Sequence, residues 1–251
     1  MQNEPILDLS IEAETIQQNV RFADLFAECP VPPNVLINHM GLLLNRNCLS
    51  RVLFLDELYR QIIDVPGAIV EFGVRWGQSL ALYSNLRAIY EPYNVSRQIV
   101  GFDTFEGFPS VSPKDGTAAN LRVGTYAVAP KHEVYLEKVL AYYEETAPRS
   151  GATRFRLVKG DACETLPKYL QDHPETVIAL AYFDFDIYEP TRVCLENILP
   201  YLTKGSIVAF DELNKEVSPG ETVAVREVLG LSRYRLRRSP YRGYPSYVVI
   251  E

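Results

Sequence analysis

Apolar residues recur at helical spacing through the first part of the chain. Residues 30, 32 and 33 are prolines and interrupt this part, because proline lacks a backbone donor and restricts the residue before it. We therefore predict a helical N-terminal extension over residues 1–67, which could be a structural layer, a subunit contact or a lid. Its clearest segment is an amphipathic helix over residues 49–63, with apolar residues spaced mostly three and four apart. These residues are Leu49, Val52, Leu53, Leu55, Leu58, Tyr59, Ile62 and Ile63.

From residue 68 onward, short apolar runs alternate with helical segments. This alternation predicts a parallel sheet with helices on both faces. The last two runs are joined only by a loop and are predicted to be antiparallel. The fold class is therefore α/β, a doubly wound Rossmann-like sheet, mostly parallel with an antiparallel C-terminal strand, in one domain over residues 68–251. The predicted strands are 68–72, 98–102, 154–158, 177–183, 206–210, 234–238 and 246–250, and the helices after the first strand run to about 90 and over 131–145, 162–171, 189–202 and 221–229.

Acidic residues follow two of these predicted strands, with Asp184 and Asp186 after one and Asp211 and Glu212 after the other. Carboxylates at the ends of buried strands are costly to desolvate. Asp184 and Asp211 are 27 residues apart, about one helical crossover, so they are expected at neighbouring strand ends. Carboxylates without nearby His or Cys favour Mg²⁺, Ca²⁺ or Mn²⁺ over zinc. The alternative is that Asp186 or Glu189 caps the next helix and the others are solvated.

Polar residues also end the other predicted strands, where ligands of open α/β sheets bind. Gly73 and Gly77 form a GxxxG spacing and allow a close backbone approach, but they are not the GxGxxG of a dinucleotide site. Glu71 suits an ammonium or sulfonium group, and the alternative is a glycine turn with a surface glutamate. Asp103 stands where such folds bind ribose hydroxyls. Asp161 could accept from an adenine amino group or cap the following helix.

Composition limits the remaining possibilities. The 251 residues carry a net charge of −7, which gives a nucleic-acid partner no electrostatic help. The four cysteines have no CxxC spacing and suit free thiols. The N-terminus has no secretory pattern and no apolar run approaches the roughly 20 residues of a membrane span, so we expect a cytoplasmic protein without a membrane partner. The polar stretch 103–130 is long enough to predict a functional loop.

Five segments in matching order resemble the macrocin O-methyltransferase family over about residues 68–212. They are EFGVRWGQS (71–79), GFDTFEGFP (101–109), GDACETLP (160–167), DFDIYEPT (184–191) and FDE (210–212). The resemblance implies a class I methyltransferase fold and an enzyme that transfers a methyl group from S-adenosylmethionine (SAM) to a sugar hydroxyl with the help of Mg²⁺. It implies a sugar-containing small-molecule acceptor in natural product biosynthesis, and we expect a homo-oligomer, a dimer or tetramer.

The resemblance also implies residue roles. Asp186 is the implied general base, and Asp184, Asp211 and Glu212 are the implied Mg²⁺ ligands. Around SAM, Asp103 would bind the ribose, Thr104 and Phe105 would border the adenine, and Asp161 would reach its amino group. The full implied cofactor-binding set is Glu71, Phe72, Gly73, Gly77, Ser79, Asp103, Thr104, Phe105, Asp161 and Asp184.

Two residues depart from the family pattern. Glu212 stands where the family usually has aspartate, and Phe185 stands where it has a small residue. Two alternative functions therefore accompany the methyltransferase prediction. One is an NAD-dependent oxidoreductase on a Rossmann fold, which the GxxxG spacing disfavours. The other is a SAM-binding homologue that has lost catalysis.

Overall fold

A computed structural model describes residues 13–148 and 151–251. The first twelve residues of the predicted extension lie outside this range. The rest of the extension is helical: α1 is Ala13–Ala27, α2 is Pro33–Leu36, a 3₁₀ turn is Met40–Leu43 and α3 is Arg46–Gln61. No helix in the described ranges is long and apolar enough to cross a membrane.

Seven strands then form one sheet in the order β3-β2-β1-β4-β5-β7-β6. Strands β1 to β5 pair in parallel, whereas β7 is antiparallel to both β5 and β6. The predicted α/β fold, mostly parallel with antiparallel C-terminal strands, is confirmed. The elements are β1 (Ala68–Phe72), α4 (Gln78–Tyr90), β2 (Ile99–Asp103), α5 (His132–Thr146), β3 (Phe155–Lys159), α6 (Ala162–Asp172), β4 (Ile178–Phe183), α7 (Tyr188–Ile198), β5 (Leu202–Phe210), α8 (Gly220–Val228), β6 (Arg237–Arg238) and β7 (Ser246–Val249).

Two apolar layers cover the sheet, one on each face. Side chains of successive strand residues point to opposite faces, so β4 places Tyr182 in one layer and Phe183 in the other. Helices α3, α4 and α5 pack on the first face, and α6, α7 and α8 pack on the second. Each large apolar side chain buried this way stabilises the fold by about 1.5–3 kcal/mol. Because helices cover both faces of the sheet, the arrangement is doubly wound.

Three predicted details are wrong. The strand predicted over 234–238 is reduced to β6, Arg237–Arg238. The helix predicted over 189–202 ends at Ile198, and β5 begins at Leu202 instead of residue 206. Pro200 accounts for the difference, because it cannot continue the hydrogen bonding of a helix interior. The predicted apolar residues Leu49 and Leu53 of α3 are exposed, and so is Ile63, which follows the end of this helix. The buried side of this helix consists of Phe54, Leu55, Leu58 and Tyr59, followed by Ile62.

The chain order of the strands reverses between β1 and β4. From β1 the sheet grows to β2 and β3 on one side, and to β4 and β5 on the other. Loops leaving the carboxyl ends of β1 and β4 diverge at such a point and leave a crevice, where open α/β sheets bind ligands. The crevice is where the acidic residues of the sequence come together.

Candidate active site

A cavity of about 320 Å³ opens at the carboxyl end of the sheet. The loops after β1 to β5 line it, and Arg51 of α3 and Arg242 close part of its wall. The structure brings ten of the predicted site residues together in this lining. They are Glu71, Gly73, Ser79, Asp103, Thr104, Asp161, Asp184, Asp186, Asp211 and Glu212.

Three other predicted cofactor residues lie outside the lining. Phe72 is stacked in the core, with ring centroids 4.6 Å from Phe183 and 5.4 Å from Phe102. Gly77 begins α4 with a φ of 82°, and a Cβ there would overlap the side chain of Leu136. Phe105 is buried, also at positive φ. These residues shape the loops, and direct contact with a cofactor stays a prediction for each.

Glu71 and Ser79 present buried polar atoms without partners. Glu71 Oε2 and Ser79 Oγ have no hydrogen-bond partner among the described residues. Burial, and then the nearby carboxylate of Asp184, raise the pKa of Glu71 well above its usual value, against the opposing effect of the neighbouring Ser79 hydroxyl, which does not reach hydrogen-bond geometry with Glu71 Oε2. Because an unpaired buried polar atom costs free energy, this wall of the cavity is complementary to a ligand with hydrogen-bond donors and positive charge.

Backbone turns fix the neighbouring carboxylate of Asp103. The backbone nitrogen of Arg75 donates to Asp103 Oδ2 at 2.8 Å, and that of Phe105 donates to Oδ1. Burial nevertheless raises the pKa of Asp103 above its usual value, against the effect of these backbone donors. The carboxylate is therefore held at the end of β2, facing the cavity, with lone pairs left for a ligand.

Asp161 caps a helix. Its Oδ1 accepts from the backbone nitrogen of Cys163 at 2.9 Å, at the start of α6. The capping alternative raised by the sequence is therefore confirmed. Since Asp161 also lines the cavity, its contact with an adenine amino group stays a prediction.

Arg51 bridges two of the acids at the strand ends. Its Nη1 lies 3.2 Å from Asp184 Oδ2, and its Nη2 lies 3.0 Å from Asp211 Oδ2. The two aspartates follow Phe183 and Phe210, which are register partners in the adjacent strands β4 and β5. The prediction that Asp184 and Asp211 meet at neighbouring strand ends is therefore confirmed.

The two bridged aspartates differ in acidity. Burial, and then the charge of Asp211, raise the pKa of Asp184 to about 7 against the effect of Arg51. Burial also acts on Asp211, but Arg51 and Arg242 outweigh it and lower the pKa of that residue. Arg242 Nη1 lies 3.1 Å from Asp211 Oδ1, and the hydroxyl of Tyr182 donates to the same oxygen at 2.6 Å. Asp211 is the firmly ionised member of the pair.

Asp186 and Glu212 complete the acidic group. Glu212 pairs with Lys215, whose Nζ lies 2.6 Å from Oε1 and 2.8 Å from Oε2. Burial, and then the charges of Glu212 and Asp184, raise the pKa of Asp186 well above its usual value. Asp186 also has a φ of 62°, a backbone conformation that is uncommon for a residue other than glycine. Such conformations cluster at functional sites.

The acidic group fits Mg²⁺ in chemistry but is arranged around basic side chains. Carboxylate oxygens are the ligands that Mg²⁺ prefers in proteins. In the part of the chain that the structure describes, no three His, Cys, Asp or Glu residues form a group that could hold a metal ion. Asp184, Asp211 and Glu212 are instead paired with Arg51, Arg242 and Lys215.

Glu221 of α8 ties the two acidic loops together, and the sequence analysis missed it. Its Oε1 accepts from the backbone nitrogens of Phe185 at 3.2 Å and Asp186 at 3.3 Å, and its Oε2 accepts from that of Glu212 at 3.1 Å. The side chain of Glu221 is fully buried. It thereby holds the candidate base and one candidate metal ligand at fixed positions.

The suggestion that Asp186 or Glu189 caps α7 is wrong. The first backbone amide of that helix, from Tyr188, donates to Asp115 Oδ1 at 2.6 Å. Asp115 belongs to the long loop between β2 and α5, so this loop fastens the start of α7. Glu189 instead forms an ion pair with Arg192. Asp186 is therefore left without a capping role.

Arg51 was also missed, although a signal existed. Arg51, Leu55, Leu58 and Ile62 follow one another at intervals of four, three and four, so they share one side of α3. A basic residue on the buried side of a helix indicates a buried acidic partner. Glu221 of α8 contacts the loops after β4 and β5, and Arg242 contacts Asp211. No local sequence pattern marks these contacts.

Residues 49–227 match the family model described as Macrocin-O-methyltransferase (TylF). The chain belongs to the macrocin O-methyltransferase family. The resemblance predicted from the five motifs is therefore confirmed, and it places the chain in the predicted class, the SAM-dependent O-methyltransferases.

Solved structures agree with this family. The crystal structure of CalS11, calicheamicin methyltransferase, has a TM-score of 0.92 and 45% identity over 99% of each chain. The apo structure of CalS11, described as a TDP-rhamnose 3′-O-methyltransferase, has a TM-score of 0.83 and 44% identity over 95% of each chain. These likenesses confirm the class I methyltransferase fold over nearly the whole chain.

A curated relative comes from Streptomyces olivaceus and is 33% identical over 149 residues. Its name is 8-demethyl-8-(2,3-dimethoxy-alpha-L-rhamnosyl)-tetracenomycin-C 4′-O-methyltransferase. The match covers 59% of this chain and 53% of that relative. The chain thus spans about half the length of the curated relatives it matches.

Proposed function

We propose that this macrocin O-methyltransferase homologue transfers the methyl group of SAM to a hydroxyl of a sugar, either nucleotide-linked or attached to a natural product. The observation that carries the proposal is the buried Glu71 Oε2, which has no hydrogen-bond partner among the described residues and lies in the same cavity as Asp103 and the acidic group at the ends of β4 and β5. Relatives in this family act on rhamnose or rhamnosyl groups according to their names. A deoxysugar is therefore the first acceptor to test.

The described residues fit SAM on one wall. The ammonium group of SAM would donate to Glu71 Oε2 and Ser79 Oγ, which are two of the buried side-chain atoms that have no hydrogen-bond partner among the described residues. Asp103, fixed by two backbone amides, would accept the ribose hydroxyls. Gly73, at a φ of 91°, leaves no side chain between this wall and the carbonyl oxygen of Asp184.

Asp186 would act as the general base on the opposite wall. A raised pKa makes its carboxylate a better proton acceptor than an ordinary aspartate, and Glu221 fixes its backbone amide. Asp184, Asp211 and Glu212 would hold Mg²⁺ through their carboxylates only after Arg51 and Lys215 leave them, because the described residues form no ready metal-binding group. When bound, SAM supplies the methyl group and Mg²⁺ lowers the pKa of a coordinated hydroxyl. The residues of this chain orient the acceptor and remove its proton.

Two further features of the proposal concern assembly and location. The side chains of Val20, Leu25 and Phe26 on α1 are exposed, which supports a homo-oligomer that covers them. Light scattering on the purified chain tests this point, and a monomer would contradict it. The division at residue 67 and the cytoplasmic location stay predictions.

The test of the proposed function is SAM binding followed by methyl transfer. Calorimetry should show SAM binding, and labelled SAM with Mg²⁺ should methylate TDP-rhamnose or a rhamnosylated acceptor. Titration with NAD is the control for the oxidoreductase alternative. Tight NAD binding without SAM binding would overturn the proposal, and SAM binding without transfer to any sugar acceptor would favour a non-catalytic homologue.

A further inference from the structure

Arg51 has no role in the proposed transfer, yet it occupies the centre of the acidic group. Its two terminal nitrogens contact one oxygen each of Asp184 and Asp211, at 3.2 and 3.0 Å. Its side chain is 19% exposed, so solvent reaches only part of it. A planar guanidinium presents donors in a fixed fork, which suits a bridge between two carboxylates.

We propose that Arg51 is a built-in cation that a divalent metal ion must displace from Asp184 and Asp211. This inference rests on the proposed function, because the carboxylates of the same two aspartates would hold Mg²⁺ there. A guanidinium hydrogen-bonded to a carboxylate oxygen and a metal ion bound to that oxygen compete for its lone pairs. The metal-free chain thereby keeps its two buried carboxylates paired, and binding of the ion releases the arginine.

Release of Asp184 and Asp211 from Arg51 requires movement of the Arg51 side chain only. Leu55 and Leu58 lie on the same side of α3 as Arg51 and are fully buried against the sheet, so they anchor the helix. The side chain of Arg51 has four rotatable bonds and lines an open cavity. Its guanidinium can therefore leave the two aspartates while α3 keeps its place.

The expected size of the effect follows from the occupancy of the bridge. Apparent metal affinity falls in proportion to the fraction of molecules whose site is free of the arginine. A bridge formed in about nine molecules of ten would weaken metal binding about tenfold, which is the scale of effect that metal titration is designed to detect. Removing the guanidinium should therefore strengthen metal binding about tenfold.

The test is metal titration of the full chain without SAM, by calorimetry with Mg²⁺ and with Mn²⁺. R51M should bind about tenfold more tightly than the wild type, and R51K should lie between them because an ammonium cannot form the fork. The melting temperature of R51M should be lower than that of the wild type without metal, and should rise more on adding Mg²⁺. R51K keeps the charge and the stem, and it serves as the test variant if R51M does not fold.

Two matched variants separate displacement from a general loss of positive charge. R242M removes a cation that contacts Asp211 but does not bridge to Asp184, and should gain clearly less affinity than R51M. R60M changes an exposed arginine of the same helix and should titrate like the wild type. Equal gains in R51M and R242M would overturn the bridge as the cause.

The remaining outcomes also decide the inference. Unchanged or weaker metal binding in both R51M and R51K would overturn it. If neither the wild type nor these variants bind metal while methyl transfer continues in EDTA, the inference and the metal role fail but the methyltransferase proposal stands. If metal binds more tightly to R51M but no SAM binds, the inference stands and the proposed function fails.

Discussion

The carboxylate of Glu221 lies 3.3 Å from the backbone nitrogen of Asp186, and it accepts the hydrogen bond that fixes this candidate base. The other oxygen of Glu221 accepts from the backbone nitrogen of Glu212. One buried side chain therefore sets the distance between the loop after β4 and the loop after β5. Positioning of reacting groups is worth a large share of an enzyme's rate.

Replacement of Glu221 should lower activity more than ligand binding. E221A leaves buried backbone donors unpaired and should destabilise the fold by at least about 2 kcal/mol, measured by urea unfolding. E221Q keeps the shape but turns an amide group toward a backbone donor, so kcat should fall at least tenfold with little change in the SAM dissociation constant. An E221Q variant with normal kcat would contradict the positioning role.

Replacement of Glu71 should weaken SAM binding without lowering the stability of the fold. E71Q keeps the shape of the side chain but cannot ionise, and because Oε2 has no partner among the described residues the free energy of unfolding should stay equal or rise. SAM affinity should fall at least tenfold, in line with the roughly 1.5–3 kcal/mol of a hydrogen bond to a charged group. Thermal unfolding and calorimetry on the same sample measure both quantities. Loss of stability together with unchanged SAM binding would refute the assignment.

Gly73 should tolerate no side chain. A Cβ at this position would overlap the carbonyl oxygen of Asp184, and its φ is 91°. G73A should therefore destabilise the protein and abolish SAM binding. The matched control is G124A, since Gly124 has a φ of 81° but open space around it, and should show only the conformational cost of about 1 kcal/mol. Equal effects of the two variants on unfolding would mean that the close approach to Asp184 is unimportant.

The raised pKa of Asp184 predicts a pH dependence of stability. Its folded pKa of about 7 exceeds the usual value of 3.8, so between these pH values the folded state binds more protons than the unfolded state. The contribution of Asp184 to the free energy of unfolding is therefore present below about pH 4 and is lost as pH rises to about 7. Over this range the free energy of unfolding falls by up to about 1.4 kcal/mol per pH unit. The difference in unfolding free energy between wild type and D184N, without metal, isolates it. The unfolding free energy of the wild type minus that of D184N should fall as pH rises from about 4 to about 7, and a rise in this quantity would contradict the predicted sign.

Sequence patterns predicted the fold and the location of the site because both depend on local periodicity. The apolar runs predicted β4 and β5, and the acids directly after them had to meet once those strands paired in parallel. The arginine bridge and Glu221 depend on how α3 and α8 pack against the loops, which no local pattern records. The position of Arg51 could be predicted in part. Its spacing to Leu55 and Leu58 places it on the buried side of α3, but the spacing does not identify the acidic residues that it contacts.

The most direct test of the proposed reaction compares wild type with D186N in transfer of labelled methyl groups from SAM to TDP-rhamnose. Asparagine tolerates the φ of 62° at this position, so the loop should keep its shape. We expect transfer by the wild type, and in D186N unchanged SAM affinity with kcat lowered by about 10²–10⁴. A D186N variant that transfers methyl groups at the wild-type rate would contradict the assignment of the base, and a wild type that does not bind SAM would contradict the account as a whole.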